Sequence, residues 1–214
     1  KQQTDRLLKR IKEGRIEVAG LFFNISELFD EVSLMDILKP IKQFKDLGIP
    51  VKTAMQNDVN GLGWSLIDNL TQCGIQYVSM GENTDRALKP FDNPTVFWWQ
   101  SKSGNKIMAF RAEHYMTGNF VGILSSNLKT LENGLFKHLN DIYSKGYPFD
   151  YYSIQFSGYH TDNSPPSTLA CDLVKQWNEK YEWPKIRLSV FSEFMDKVKE
   201  NKSTDIPIFQ AAWP

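Results

Sequence analysis

Apolar positions along the chain follow two alternating rhythms. IEVAGLFF (residues 16–23) is a compact apolar run of strand length. Over residues 33–47 the spacing turns helical, with Leu34, Ile37, Leu38, Ile41 and Phe44 on one face. Gly48 ends that helix in the left-handed manner, and Pro50 follows. PVKTAMQ (50–56) is the next strand, residues 64–73 form a second helix closed by Gly74, and IQYVSM (75–80) is a third strand. Strand and helix alternating at this spacing predict βαβ crossovers and a mostly parallel sheet. TVFWWQ and KIMAFR then flank SKSGN, a glycine-containing turn of hairpin length, which predicts one β-hairpin inserted in that sheet. Further helices are expected over 127–145, 167–181 and 191–201. Further strands are expected at YYSIQFS (151–157), IRLSV (186–190) and IPIFQ (206–210). The opening KQQTDRLLKRIKEG reads as a helix already under way, and the closing IPIFQAAWP as a strand that stops without a polar tail. The expectation is a single domain over residues 1–214, a fragment of a larger α/β catalytic unit.

Composition narrows the function classes. The chain is 41% hydrophobic and 23% charged, an ordinary globular balance. Its 25 basic and 25 acidic residues cancel, so no basic field exists to collect phosphates, and nucleic acid is not expected as a partner. No apolar run reaches the roughly 18–20 residues of a membrane span, so no membrane partner is expected. Cys73 and Cys171 show neither metal nor redox spacing and read as buried free thiols. The compartment stays open, with an exported or periplasmic parent compatible with the chain. Six tryptophans serve mainly as core, but the adjacent Trp98 and Trp99 must face opposite sides of a strand.

In parallel α/β sheets ligands sit beyond the carboxyl ends of the strands. Three loops occupy that place: 24–27, 57–63 and 158–166. In NDVNGLG, Asp58 directly follows a strand, and the glycines allow tight turns around it. A helix cap or an Asx turn is the competing use of Asp58. GYHTDNSPP offers His160, Asp162 and Asn163, with capping of the next helix as the competing use. Two carboxylates on separate strand-end loops are the minimum set for glycoside hydrolysis, one ionised and one protonated. The first loop offers Asn24, Ser26 and Glu27, where Ser26 reads as a helix N-cap. AFRAEHYMTGN adds Arg111, Glu113, His114 and Tyr115, while His138 falls in a helical pattern and reads as a surface residue. Three dispersed histidines without HxH or HExxH pairing do not make a complete metal site. GxSxG, GxGxxG and Walker patterns are absent, which argues against a hydrolase elbow or a nucleotide cradle.

Several longer stretches resemble one family. GRIEVAGLFFNISEL, VKTAMQNDVNGLGWSLIDNLTQCGIQYVSMGEN, FWWQSKSGNKIMAFRAEHY, GYHTDNSPP, VKQWNEKY and IPIFQAAWP resemble, in that order, the catalytic core of glycoside hydrolase family 38. These are the α-mannosidases, and the likeness is closest to divergent bacterial members. The resemblance implies a seven-stranded β/α barrel, incomplete in this chain. It implies retaining hydrolysis of α-mannosides, with Asp58 as nucleophile and zinc ligand and Asp162 as general acid. Candidate sugar-binding residues are Asn24, Trp64, His114, Tyr115, His160 and Asn163. The family takes its other zinc ligands from a His-x-Asp pair on the first strand and from a histidine well downstream. Both are expected to lie outside this chain, so zinc belongs to the intact parent, its site here is incomplete, and weak or no activity is expected. Two other readings stand beside this one. The first is a deacetylase-type barrel working through metal-bound water. The second is a non-catalytic carbohydrate-binding or scaffold module. An exposed sheet edge would also invite self-association.

Overall fold

A computed structural model of the chain describes residues 2–22, 24–25, 29–59, 61–83, 91–159, 161–201 and 205–213. The elements follow in the order α1 (Gln2–Lys12), α2 (Glu31–Asp46), β1 (Thr53–Asn57), α3 (Leu66–Gln72), β2 (Tyr77–Gly81), β3 (Thr95–Gln100) and β4 (Lys106–Arg111). They continue with α4 (Thr117–Phe120), α5 (Leu128–Ser144), α6 (Leu169–Lys180), α7 (Phe191–Glu200) and β5 (Ile208–Phe209). None of these helices is long and apolar enough to cross a membrane. The strands form one five-stranded sheet in the order β1-β2-β4-β3-β5. β1, β2 and β4 run parallel, the hairpin makes β3 antiparallel to β4, and β5 lies parallel to β3.

Alternation along each strand builds two apolar faces. Ala54, Val78, Met80, Phe97, Trp99, Ile107 and Ala109 point to one side, where Ile37, Leu38 and Ile41 of α2 and Leu66, Ile67 and Leu70 of α3 cover them. Tyr77, Met108 and Phe110 point to the other side, under Phe194, Met195 and Val198 of α7. A third apolar cluster joins α5 to α6 through Leu131, Leu135, Leu173 and Trp177. Trp98 and Trp99 divide as alternation requires: Trp99 is fully buried, and Trp98 is half-buried beneath the Lys106 ammonium.

α2 begins at Asp30, whose carboxylate accepts the Ser33 N–H at 2.7 Å. The expected cap Ser26 lies outside the described residues, as does its neighbour Glu27.

Three expected strands do not form, and each has a local reason. Over 16–23, of which Phe23 lies outside the described residues, only Ala19 makes a bridge, parallel to Thr53. Leu21 and Ile25 instead plug the core as loop residues. Among the described residues, 151–157 have no sheet neighbour: the Gly118 N–H donates to the Gln155 carbonyl, and the Asn119 carboxamide pairs with both main-chain groups of Ser157. Residues 186–190 are treated likewise by Asn178 of α6, whose carboxamide pairs with the N–H and C=O of Ile186. A side-chain amide offers the donor and acceptor that a neighbouring strand would have supplied. His138 is a further correction, since its side chain is only 14% exposed and meets Glu113.

The hairpin turn is fastened to α3 through one carboxylate oxygen. Asp68 Oδ1 accepts from Ser101 Oγ (2.7 Å), Ser103 Oγ (2.6 Å) and Asn105 Nδ2 (2.9 Å). Ser103, then Ser101 and Asn105, hold the Asp68 carboxyl below its ordinary range. A depressed folded-state pKa stabilises the fold above the unfolded-state value, about 3.9, and loses that contribution as pH falls through the folded value. Asp68→Ala is expected to cost about 1 kcal/mol at pH 7, because solvent still reaches and screens this half-buried site. In urea denaturation the gap to the unaltered chain should close below about pH 4. A gap that persists unchanged at pH 3 would contradict this assignment.

Candidate active site

The carboxyl ends of β1, β2 and β4 deliver Asp58, Asn83 and Tyr115 to the same edge of the sheet, as the parallel register requires. Asp58 adopts a left-handed backbone, φ 68°, uncommon for a residue with a Cβ. Its N–H donates to the Gly81 carbonyl at 3.0 Å. Its Oδ1 accepts from Asn83 Nδ2 at 2.9 Å and lies 3.4 Å from the Tyr115 hydroxyl. The same hydroxyl lies 3.1 Å from Asp162 Oδ2. One phenol thus spans the two carboxylates picked out in the sequence, both of them exposed to solvent. Burial first, then the bond to Asp162 and the charges of Asp58 and Asp162, push the Tyr115 phenol up to about 12. It remains a proton donor at neutral pH.

Capping accounts for neither carboxylate. α3 starts after Ser65 and α6 after Thr168, and neither cap residue makes a side-chain cap bond.

Buried polar groups shape the ground beneath this cluster. Gln56 is 0% exposed; its Oε1 accepts from the Ile25 N–H at 3.1 Å, and its Nε2 donates to the carbonyls of Val59 (2.8 Å) and Gly61 (2.9 Å). It therefore pins the loop that carries Asp58. Asn24 Oδ1 accepts the Asn57 N–H at 2.9 Å, one residue before Asp58. A Cβ at Gly81 would stand 2.4 Å from Asn57 Oδ1 and 3.0 Å from Tyr115 Cβ, so any other residue there would displace Asn57.

The other sequence candidates fall in different places. His114 stacks on the Tyr115 ring at 4.5 Å, and its Nδ1 accepts the Met116 N–H at 3.1 Å. Asn163 follows Asp162 in a left-handed conformation, φ 52°. Trp64 donates its indole N–H to the Gln100 carbonyl, and Gln100 pairs with Lys106 at the end of the hairpin opposite Tyr115. The structure does not bring Trp64 to the Asp58–Asp162 pair. His160 lies outside the described residues. Sequence reasoning missed Asn83 and Gln56. Gln56 left one signal, a carboxamide on the same inward register as Ala54.

The model of the glycosyl hydrolases family 38 N-terminal domain matches residues 1–212. The chain belongs to that family. It superposes on an α-mannosidase from Enterococcus faecalis V583 with a TM-score of 0.77 and 15% identity, over 99% of this chain and 24% of that one. It also superposes on a 4-α-glucanotransferase from Thermococcus litoralis with a TM-score of 0.56 and 15% identity, over 97% of this chain and 30% of that one. This domain therefore spans about a quarter of the mannosidase's length, and at this identity the likeness is one of fold. No curated protein matches the chain.

Family 38 membership raises the question of zinc. Among the described residues no group of three His, Cys, Asp or Glu side chains could hold a metal ion. Asp58 and Asp162 converge as oxygen donors, while the Nδ1 of the adjacent His114 is taken by the Met116 N–H. A zinc site takes at least three protein ligands, so the described donor set does not fit the ion.

Replacing Gln56 with leucine would leave the Ile25 N–H and the Val59 and Gly61 carbonyls without their partner. Unsatisfied groups of this kind predict a loss of about 2–4 kcal/mol for Gln56→Leu in urea denaturation. A loss under about 0.5 kcal/mol would show that the loop is held by other means.

Proposed function

We propose that this family 38 domain takes part in retaining hydrolysis of α-mannosides, with Asp58 as nucleophile and Asp162 as general acid and then base. The observation that carries the reading is the Tyr115 hydroxyl lying within reach of both carboxylates. The sum of those two distances is a ceiling on the separation of the two oxygens. That ceiling does not pass the lower edge of the inverting range, about 6.5–9.5 Å, and it admits the retaining spacing of about 5–5.5 Å.

In the first step the ionised Asp58 attacks the anomeric carbon, while Asp162 gives its proton to the departing glycosidic oxygen. In the second, Asp162 takes a proton from water, the water oxygen attacks the anomeric carbon, and Asp58 leaves as carboxylate. Tyr115 suits both steps. A phenol has one proton to give and lone pairs to accept with, so it can donate to Asp58 while accepting from a protonated Asp162. Asn83 steadies Asp58 from the other side.

His114, Asn24 and Asn163 border the pair and are assigned to sugar contacts, with Trp64 kept for a more distant one. The seven-stranded β/α barrel is the proposed complete architecture, with the described sheet as part of it. Zinc in the complete catalytic unit would need ligands from beyond the described residues, and no step above passes through it. Carbohydrate is the partner that this reading requires, and the free edge of the short β5 is the place for self-association.

The test is trapping with a fluorinated mannosyl substrate in the protein that carries this domain, followed by peptide mass mapping. One covalent sugar adduct on Asp58 is expected, absent in Asp58→Asn. Turnover of an aryl α-mannoside should fall about 10²–10⁴-fold in Asp162→Asn. Cleavage of an acetylated saccharide that falls in Asp58→Asn, with no glycosyl adduct trapped on the unaltered protein, would support the deacetylase-type barrel. Saccharide binding that survives loss of both carboxylates, without turnover, would support the non-catalytic module.

A further inference from the structure

A second titratable cluster begins two residues from Tyr115 and has no part in the chemistry assigned above. Glu113, two residues before Tyr115 on the β4–α4 connection, is mostly buried. Its Oε2 lies 3.0 Å from His138 Nε2 on α5 and accepts the Tyr152 hydroxyl at 3.0 Å. His138 Nε2 and Tyr152 Oη are themselves 3.3 Å apart, so the three atoms close a triangle. Tyr152 belongs to the 151–157 segment, which leads into the loop that carries Asp162 and is held to α4 by Asn119. Three separately built parts of the chain therefore meet at one carboxylate oxygen: the Tyr115 arm, α5 and the Asp162 arm.

The groups around Glu113 keep it charged. Burial opposes ionisation, but the His138 bond and charge, the Tyr152 hydroxyl and the nearby Arg111 hold its carboxyl below the ordinary range. Arg111 is fixed in turn by its buried pairing with Glu82 at 3.0 Å. Tyr152 is pushed well above the ordinary phenol value by burial and by Glu113, so it stays a donor. Tyr147 packs edge-on against the Tyr152 ring at 5.0 Å and closes that side of the cluster.

We propose that Glu113 is a positioning residue: clamped between His138 and Tyr152, it sets the two arms so that Tyr115 stands between Asp58 and Asp162. This rests on the reading of those carboxylates as a working pair, and on nothing about the sugar. Removing the clamp frees the arms to separate without changing any residue of the pair. The phenol of Tyr115 then loses its acidic neighbours.

The test is the crystal structure of Tyr152→Phe, which keeps the Glu113 charge and serves also if Glu113→Ala fails to fold. In the unaltered protein the Tyr115 hydroxyl should lie within hydrogen-bonding reach of both Asp58 and Asp162. In Tyr152→Phe and Glu113→Ala it should lose Asp162, and Glu113→Gln, which keeps an acceptor for Tyr152, should restore that contact. In the complete enzyme the clamp variants should lower kcat on an aryl α-mannoside about tenfold with KM little changed. If Tyr115 keeps both contacts and kcat is unchanged in Tyr152→Phe, while Asp162→Asn loses turnover, the clamp is overturned and the pair stands. If Tyr115 stands away from either carboxylate in the unaltered protein, the pair fails and the clamp with it.

Discussion

A carboxamide buried without water must find partners for its donors and its acceptor, and Gln56 finds all of them on main chain outside its own strand. That requirement decides the course of the polypeptide after β1. The chain turns where Val59 and Gly61 can offer carbonyls to Gln56, and Ile25 is drawn alongside. Asp58 sits inside that turn, left-handed, with its carboxylate facing Asn83 and Tyr115. A hydrophobic residue at position 56 would suit the core equally well in volume. It would leave the turn, and with it the direction of Asp58, to the loop's own weak preferences.

The same device recurs away from the site. Asn119 and Asn178 each grip one residue of an extended segment through both its N–H and its C=O. These segments, 151–157 and 186–190, carry the apolar pattern of strands, which is why periodicity assigns them to a sheet. Pattern reports which side chains are buried. It does not report what satisfies the backbone, and here helix side chains and α4 do so. Where the backbone partner is another strand, as in β1, β2 and the β3–β4 hairpin, pattern and structure coincide. The helices were legible for a similar reason, since an amphipathic stripe needs only its own period and a cap.

At the site, position was legible and connection was not. Asp58 and Asp162 stand on loops after apolar runs, and that rule alone brought them forward. Nothing in AFRAEHYMTGN shows that Tyr115 will lie between them, because its two partners are 57 and 47 residues away along the chain. Nor does a histidine in a helical period announce the carboxylate it faces, as His138 of α5 faces Glu113. Contacts across such distances depend on register and on packing angle, which a single sequence does not contain. The described residues bring the two carboxylates within reach of one phenol.

The account stands or falls on whether Asp58 and Asp162 face one another across Tyr115. The measurement that bears on this most directly is the separation of their carboxyl groups in crystals of the protein. The account predicts a spacing of about 5–6.5 Å, with the Tyr115 hydroxyl in hydrogen-bonding reach of both. Carboxyl groups more than about 6.5 Å apart, or a Tyr115 hydroxyl turned away from either, would contradict it.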